Sequence, residues 1–181
     1  MKPVKGMNLE ELATFVSDHL RREGIEVVLV GGACVSLYTN NQYQTLDLDF
    51  VERYYTRRAV LKAALAKIGF TESKRYFTHP DTSFFLEFPK APITVGNEPV
   101  RKFETRSNAL GSLLLLTATD ICKDRLAAFF YWNDRQCLQQ AINIARDQQV
   151  DMAEIARWAE QEGESAKFKS FVDAIPPTNP H

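Results

Sequence analysis

The chain has 181 residues, 45% of them hydrophobic and 25% charged, with a formal net charge of -1. That is enough for one well-packed core, alone or with a small helical appendage, and it argues against two independent domains. The near-zero charge does not mark an electrostatic binder of nucleic acid, though it leaves room for a local basic patch, and no apolar run approaches the roughly 20 residues needed to span a bilayer.

The start "MKPVKGMNLEEL" lacks the apolar centre of a secretion signal. Cys34, Cys122 and Cys137 are odd in number and lack metal-ligand spacing. A reducing cytoplasm without structural zinc is the expectation. His19, His79 and His181 do not cluster, so neither a histidine metal site nor a histidine-activated nucleophile is indicated.

In chain order, Asn8 followed by Glu11 predicts a capping box. Leu9, Leu12, Phe15, Val16 and Leu20 follow helical spacing, and Gly24 is a natural stop. Residues 25–30 form a short β-branched run that meets Gly31-Gly32, the pattern of a buried strand entering a tight turn and a second helix. Residues 45–51 alternate carboxylates with Leu or Phe and predict the next strand, with Leu46, Leu48 and Phe50 on its core face. A helix over 56–68 stops at Gly69. Strands over 75–78 and 83–88 flank the turn "HPDT", and 100–106 and 112–116 supply two more. Helices are expected near 119–132, 134–148, 151–162 and 164–173. The tail "PPTNPH" cannot continue a helix and is expected to be disordered. The division is a mixed α/β core over 1–116, a helical region over 117–175 and a tail over 176–181.

The segment "LVGGACVSLYTNNQYQTLDLDFV" carries the chemistry. In a strand, residues i and i+2 share a face roughly 6.6 Å apart, so Asp47 and Asp49 stand together. Like charges so close call for solvation, a basic partner or a hard cation with oxygen ligands. Taken alone the pair also suits a solvated strand end, and the glycines an ordinary turn. Together they suggest one site, because Gly31-Gly32 lets backbone N–H groups approach a phosphate and the following helix N-terminus favours the anion. Two-metal phosphoryl transfer asks for a further carboxylate from a neighbouring strand. Glu87, the acidic residue inside "SFFLEFPK", is the best candidate; its alternative is an edge-strand glutamate facing water.

Gly-Gly, a short helix carrying Ser36, a loop and then Asp-hydrophobic-Asp resembles the polymerase-β-like nucleotidyltransferase superfamily. Within it the pattern is similar to the minimal prokaryotic transferases related to abortive-infection and toxin-antitoxin toxins. A second stretch, "LTATDICKDRLAAFFYWNDRQCLQQAINIA", resembles their helical segment, in which a basic residue precedes "LAA" and an aspartate opens the next helix. The implied fold is α+β, a nucleotidyltransferase-like mixed sheet flanked by helices, with a helical C-terminal region.

The resemblance implies that Gly31, Gly32 and Ser36 cradle nucleotide phosphates and that Asp47 and Asp49 bind two magnesium ions. Glu87 would stand for a third carboxylate that is an aspartate in many relatives and acts as general base. Lys123 or Arg125 would neutralise the triphosphate, Arg125 matching the position before "LAA" more closely, and Asp134 would orient that residue. The implied activity is a magnesium-dependent nucleotidyltransferase that moves a nucleoside monophosphate from an NTP such as ATP to a hydroxyl. The acceptor is open among RNA (tRNA included), protein and small molecules, and a cognate antitoxin is an implied partner. The competing reading is a catalytically inactive nucleotide- or protein-binding module of the same fold. A glycosyltransferase or phosphatase with an Asp-x-Asp site is a weaker third.

Other segments keep two readings. Lys123, Asp124 and Arg125 also suit the solvated face of a helix whose buried face is Ile121, Leu126, Phe129 and Phe130. "YWNDRQ" suits a base-stacking wall or a helix junction capped by Asn133 or Asp134. "VRKFETR" suits a nucleotide groove or a charged, protected strand edge. Cys34 reads as a small core residue.

Overall fold

The structure is a computed structural model that describes residues 4–176. The elements are α1 (Leu9–Arg22), β1 (Val27–Val30), α2 (Gly31–Tyr38), β2 (Asp47–Glu52), α3 (Arg58–Ala66), β3 (Thr71–Ser73), β4 (Tyr76–Thr78) and β5 (Phe85–Glu87). They continue with β6 (Thr94–Val95), β7 (Glu98–Pro99), β8 (Phe103–Asn108), β9 (Gly111–Leu116), α4 (Ala118–Trp132), α5 (Arg135–Asp147), α6 (Met152–Gln161) and α7 (Ser165–Ala174). The class is α+β: a seven-stranded mixed sheet in the order β3-β4-β5-β2-β1-β9-β8, flanked by helices, with a separate β6-β7 hairpin.

The predicted capping box forms. The Asn8 carboxamide accepts from the Glu11 N–H and the Glu11 carboxylate from the Asn8 N–H, each at 2.9 Å. Two donors that a helix start leaves orphaned are thereby satisfied. The apolar run Val27–Val30 takes an interior position in the sheet, antiparallel to β2 and parallel to β9. Such a strand is covered on both faces, which explains why it shows no polar alternation.

Leu48 and Phe50 are buried, whereas Leu46 lies outside the strand and is 52% exposed. The expected core face of 45–51 therefore begins at Leu48, because β2 starts only at Asp47. The hairpin across "HPDT" pairs Tyr76 with Glu87, Phe77 with Leu86 and Thr78 with Phe85. β3, β6 and β7 give no sequence signal, being two or three residues long and largely polar.

The C-terminal helices pack onto the sheet unit rather than standing apart. α4 lies against α2, α5, α6 and the β6-β7 hairpin, and α5 against α2. Trp158 of α6 is fully buried, stacks on Phe130 of α4 with ring centroids 5.4 Å apart, and donates from Nε1 to the Val95 carbonyl at 3.3 Å. Asn133 ends α4 in the left-handed conformation and Asp134 caps α5, accepting from the Cys137 N–H. "YWNDRQ" is thus a capped junction. Only the "FETR" part of "VRKFETR" belongs to β8, which starts at Phe103 rather than at the expected 100 and forms the sheet edge, where Arg106 stacks on Tyr38. The expected disorder of the tail falls on residues 177–181, which lie outside the described residues, as does His181. Among the described residues no helix is long and apolar enough to cross a membrane.

Candidate active site

The glycine pair and the aspartate pair meet. Val30, the last residue of β1, is the cross-strand partner of Asp49, so the chain leaves β1 beside that carboxylate. Gly31 follows with φ +66°, and a Cβ built there would stand 2.4 Å from Asp49 Oδ2. Only glycine meets both demands, the left-handed backbone and the space for the carboxylate. At Gly32 a Cβ would approach the Tyr43 ring at 3.0 Å, which lets the loop before β2 close over the same turn. Val30 caps α2 without a side-chain hydrogen bond, and the first turn of α2 carries no acid. Its leading N–H groups therefore have no side-chain acceptor, the arrangement in which an anion is favoured.

Parallel pairing of β2 with β5 sets Asp49 opposite Glu87 and Asp47 opposite Phe85. Residues in register on adjacent strands share a face at about 4.8 Å. The sheet therefore turns Asp47, Asp49 and Glu87 to the same side. The consequence is electrostatic: burial first, then the Asp47 charge and then the Glu87 charge push the Asp49 carboxyl up to about 6, with Arg125 opposing. Desolvation and neighbouring like charge both disfavour the ionised form.

Each carboxylate is differently engaged. The Thr45 hydroxyl donates to Asp47 Oδ1 and accepts from the Asp47 N–H at 3.3 Å. Glu87 Oε1 is held by Arg75 Nε at 3.2 Å, and Arg75 also donates to the Tyr76 hydroxyl. Asp49 has Arg125 as its opposing charge. Among the described residues no group of three or more His, Cys, Asp or Glu side chains is gathered as a metal cage. Asp47 and Asp49 offer hard oxygen donors whose mutual repulsion a divalent cation relieves, so the pair fits magnesium. Glu87 in its ion pair does not complete the set.

Lys123 and Arg125 have different surroundings. Two positions on a helix turn a side chain by roughly 200°, to nearly opposite sides. Lys123 is buried and held by Asp120 at 3.3 Å and Glu154 at 3.0 Å, beneath the Trp158 ring. It is neither a solvated helix residue nor a neighbour of Asp49. Arg125 is the one brought to the site. Burial works against its charge, while the adjacent Asp124 carboxylate, accepting from Nε at 3.0 Å, holds the guanidinium protonated. Arg125 Nη1 also reaches Cys137 Sγ at 3.9 Å, and Cys137 N donates to Asp134. Asp134 is thus linked to Arg125 through Cys137.

Ser36 is buried on α2 and donates to Asn41 Oδ1 at 3.2 Å, facing a cavity next to Thr45. It stands apart from the contact of Gly31 with Asp49. Cys34 is fully buried and its thiol is pushed far up by desolvation, which makes it an inert core residue. Sequence reasoning missed Thr45, Arg75 and Asp124. Thr45 had a signal, the alternation that places it in line with Asp47; Arg75 needed the β4-β5 register.

No family model matches the chain, and no curated protein sequence matches it. Two solved structures align with most of its length. One is a solution structure of the antibiotic-resistance factor ANT(2'')-Ia, at 14% identity and TM-score 0.49, covering 92% of this chain and 94% of that one. The other is a crystal structure of ANT(2'')-Ia in complex with adenylyl-2''-tobramycin, also at 14% and 0.49, covering 90% and 97%. Neither likeness is strong enough to assign chemistry to this chain.

Proposed function

We propose that this protein is a nucleotidyltransferase of the polymerase-β-like type, dependent on magnesium, that moves a nucleoside monophosphate from an NTP to a hydroxyl acceptor. The observation that carries the reading is the contact of Gly31 with the Asp49 carboxylate, which joins a phosphate-binding turn to an anionic metal-binding pair. N–H groups of Gly31 and Gly32 would receive the phosphates, Asp47 and Asp49 would hold magnesium, and Arg125 would offset triphosphate charge. Bound magnesium supplies charge neutralisation where the phosphates meet the carboxylates. The acceptor oxygen bonds to the α-phosphorus as the bond to the bridging oxygen breaks, pyrophosphate leaves, and the hydroxyl proton passes to a carboxylate. Glu87 takes that proton once Arg75 releases it. Such catalysis is mostly positioning and electrostatics.

The test is incubation with each radiolabelled NTP, magnesium and a cell extract. Label should pass to one acceptor class with the parent and not with Asp47→Ala plus Asp49→Ala. Equal stabilisation of parent and double variant by NTP with magnesium would defeat the metal assignment.

The second reading, a nucleotide-binding module without catalysis, is favoured by one observation, the Arg75–Glu87 ion pair that ties up the third carboxylate. Transfer of label to any acceptor dismisses it. A place in a toxin-antitoxin pair, with RNA or protein as acceptor, rests on the sequence resemblance alone.

A further inference from the structure

A cavity of about 630 Å³ opens two residues before Asp47, lined by the N-terminal start of α1, Ser36 in the C-terminal half of α2, the loop before β2 and Phe84 just ahead of β5. Its link to the carboxylates is Thr45, whose hydroxyl lines the cavity and donates to Asp47. A molecule seated there presents its groups within one side chain of the pair.

The lining is specific in chemistry. Ser36, Thr45, Asn8, Asn41 and Gln44 bring two hydroxyls and three carboxamides, the Asn8 oxygen being engaged in the capping box. Ser36 uses the Asn41 oxygen; among the described residues neither the Asn41 amide nitrogen nor the Gln44 carboxamide has a hydrogen-bond partner. Leu9, Leu46 and Phe84 provide apolar faces, and Leu46 is 52% exposed although strongly hydrophobic. The lining contains no Lys, Arg or His. Its acid is Glu10, whose nearest cation, Arg106, stands 3.9 Å away. A phosphate entering here would meet the Glu10 carboxylate and no cation of the lining, an arrangement that disfavours it. Free amides and hydroxyls beside apolar faces suit a ring with hydroxyls around it and C–H faces above and below.

We infer that this cavity is the acceptor site and that the acceptor is a phosphate-free, polyhydroxylated small molecule. The inference rests on Asp47 and Asp49 being the reacting centre, but the site is tested without the reaction. The probe is myo-inositol, titrated into the full chain without NTP or magnesium while the side-chain amide resonances of Asn41 and Gln44 are followed by NMR. Saturable shifts are expected at both. Gln44→Ala, an exposed position, should weaken binding at least about fivefold, the scale of one or two hydrogen bonds. Inositol 1-phosphate should bind about tenfold or more weaker, because its anion meets Glu10 and no cation in the lining.

Tighter binding of the phosphorylated ring overturns the inference, as does silence of both amides at the highest soluble inositol concentration. Adenosine shifting these amides while inositol does not would make the cavity a nucleoside site and also overturn it. Inositol binding without transfer from any NTP would sink the proposed function and the acceptor role with it, leaving only a polyol-binding cavity. Transfer to RNA with a silent cavity would sink this site alone.

Discussion

Replacing Asp49 by Asn should make the metal-free protein more stable, and the gain should depend on pH. Asp49 has a folded pKa of about 6 against 3.8 for an unperturbed carboxyl. Its ionisation in the fold therefore opposes stability: as pH rises from 3.8 through 6 the unfolded chain releases the proton first and the native state is penalised. A rise from 3.8 to about 6, at roughly 1.4 kcal/mol per tenfold change in the ionisation equilibrium, gives about 3 kcal/mol as the ceiling at neutral pH. Solvent reaching the half-buried side chain lowers the expected gain to about 1–2 kcal/mol. Asn keeps the shape beside Gly31 and removes the charge. Urea unfolding followed by fluorescence, with buried Trp158 as reporter, should show the variant ahead of the parent near pH 7.5 and level with it near pH 4. Magnesium should narrow the gap at high pH by stabilising the parent. A variant no more stable than the parent at either pH would refute the assignment of an unneutralised carboxylate pair.

Gly31→Ala should lose about 1–3 kcal/mol in the same urea assay, because alanine disfavours φ +66° and its methyl displaces the Asp49 carboxylate. Arg125→Gln should remove most of the thermal stabilisation by NTP, at a smaller cost in stability than the loss of Lys123, because Asp124 is part-exposed and water can take the place of its partner. Lys123→Met should do the reverse, leaving Glu154 and Asp120 without their buried partner. Glu154 is held down to about 2, by Arg157 first and Lys123 next. Its stabilisation is complete above pH 4.5 and fades as pH falls towards 2, so Glu154→Gln should flatten the acid limb of a circular-dichroism titration. Arg75→Gln should free Glu87 and strengthen the magnesium-dependent rise in melting temperature. An unchanged rise would mean that Glu87 takes no part in holding the ion.

Local chemistry wrote much of this structure into the sequence. The capping box at Asn8 and Glu11 and the glycine turn after β1 depend on residues a few positions apart and could be read directly, whereas "YWNDRQ" suited a stacking wall as well as the capped junction that forms. The aspartate pair was legible for the same reason, since strand alternation fixes the shared face of Asp47 and Asp49. Sheet order was not. Glu87 stands beside Asp49 because β5 pairs with β2 rather than with another strand, and Arg75 reaches Glu87 because of the β4-β5 register. Arg125 matched the position before "LAA" more closely than Lys123, but only the placement of α6 makes Lys123 a buried structural cation. Leu46 misled because strand alternation continues in the sequence past the point where the strand begins.

These long-range placements share one physical result. Asp47, Asp49 and Glu87 are turned to one side of the sheet by two parallel strands, yet two different arginines address them: Arg75 holds Glu87 directly, and Arg125 opposes the charge of Asp49. Arg75 sits on an exposed edge and its side chain is 69% exposed, so its ion pair is weak and readily exchanged. Arg125 is mostly buried and tied to Asp124, so its charge is fixed in place. The site therefore combines a permanent cation beside the aspartate pair with a replaceable one on the third carboxylate. That asymmetry suits a reaction in which triphosphate binding needs standing charge, whereas the proton acceptor must become free only when both substrates are seated.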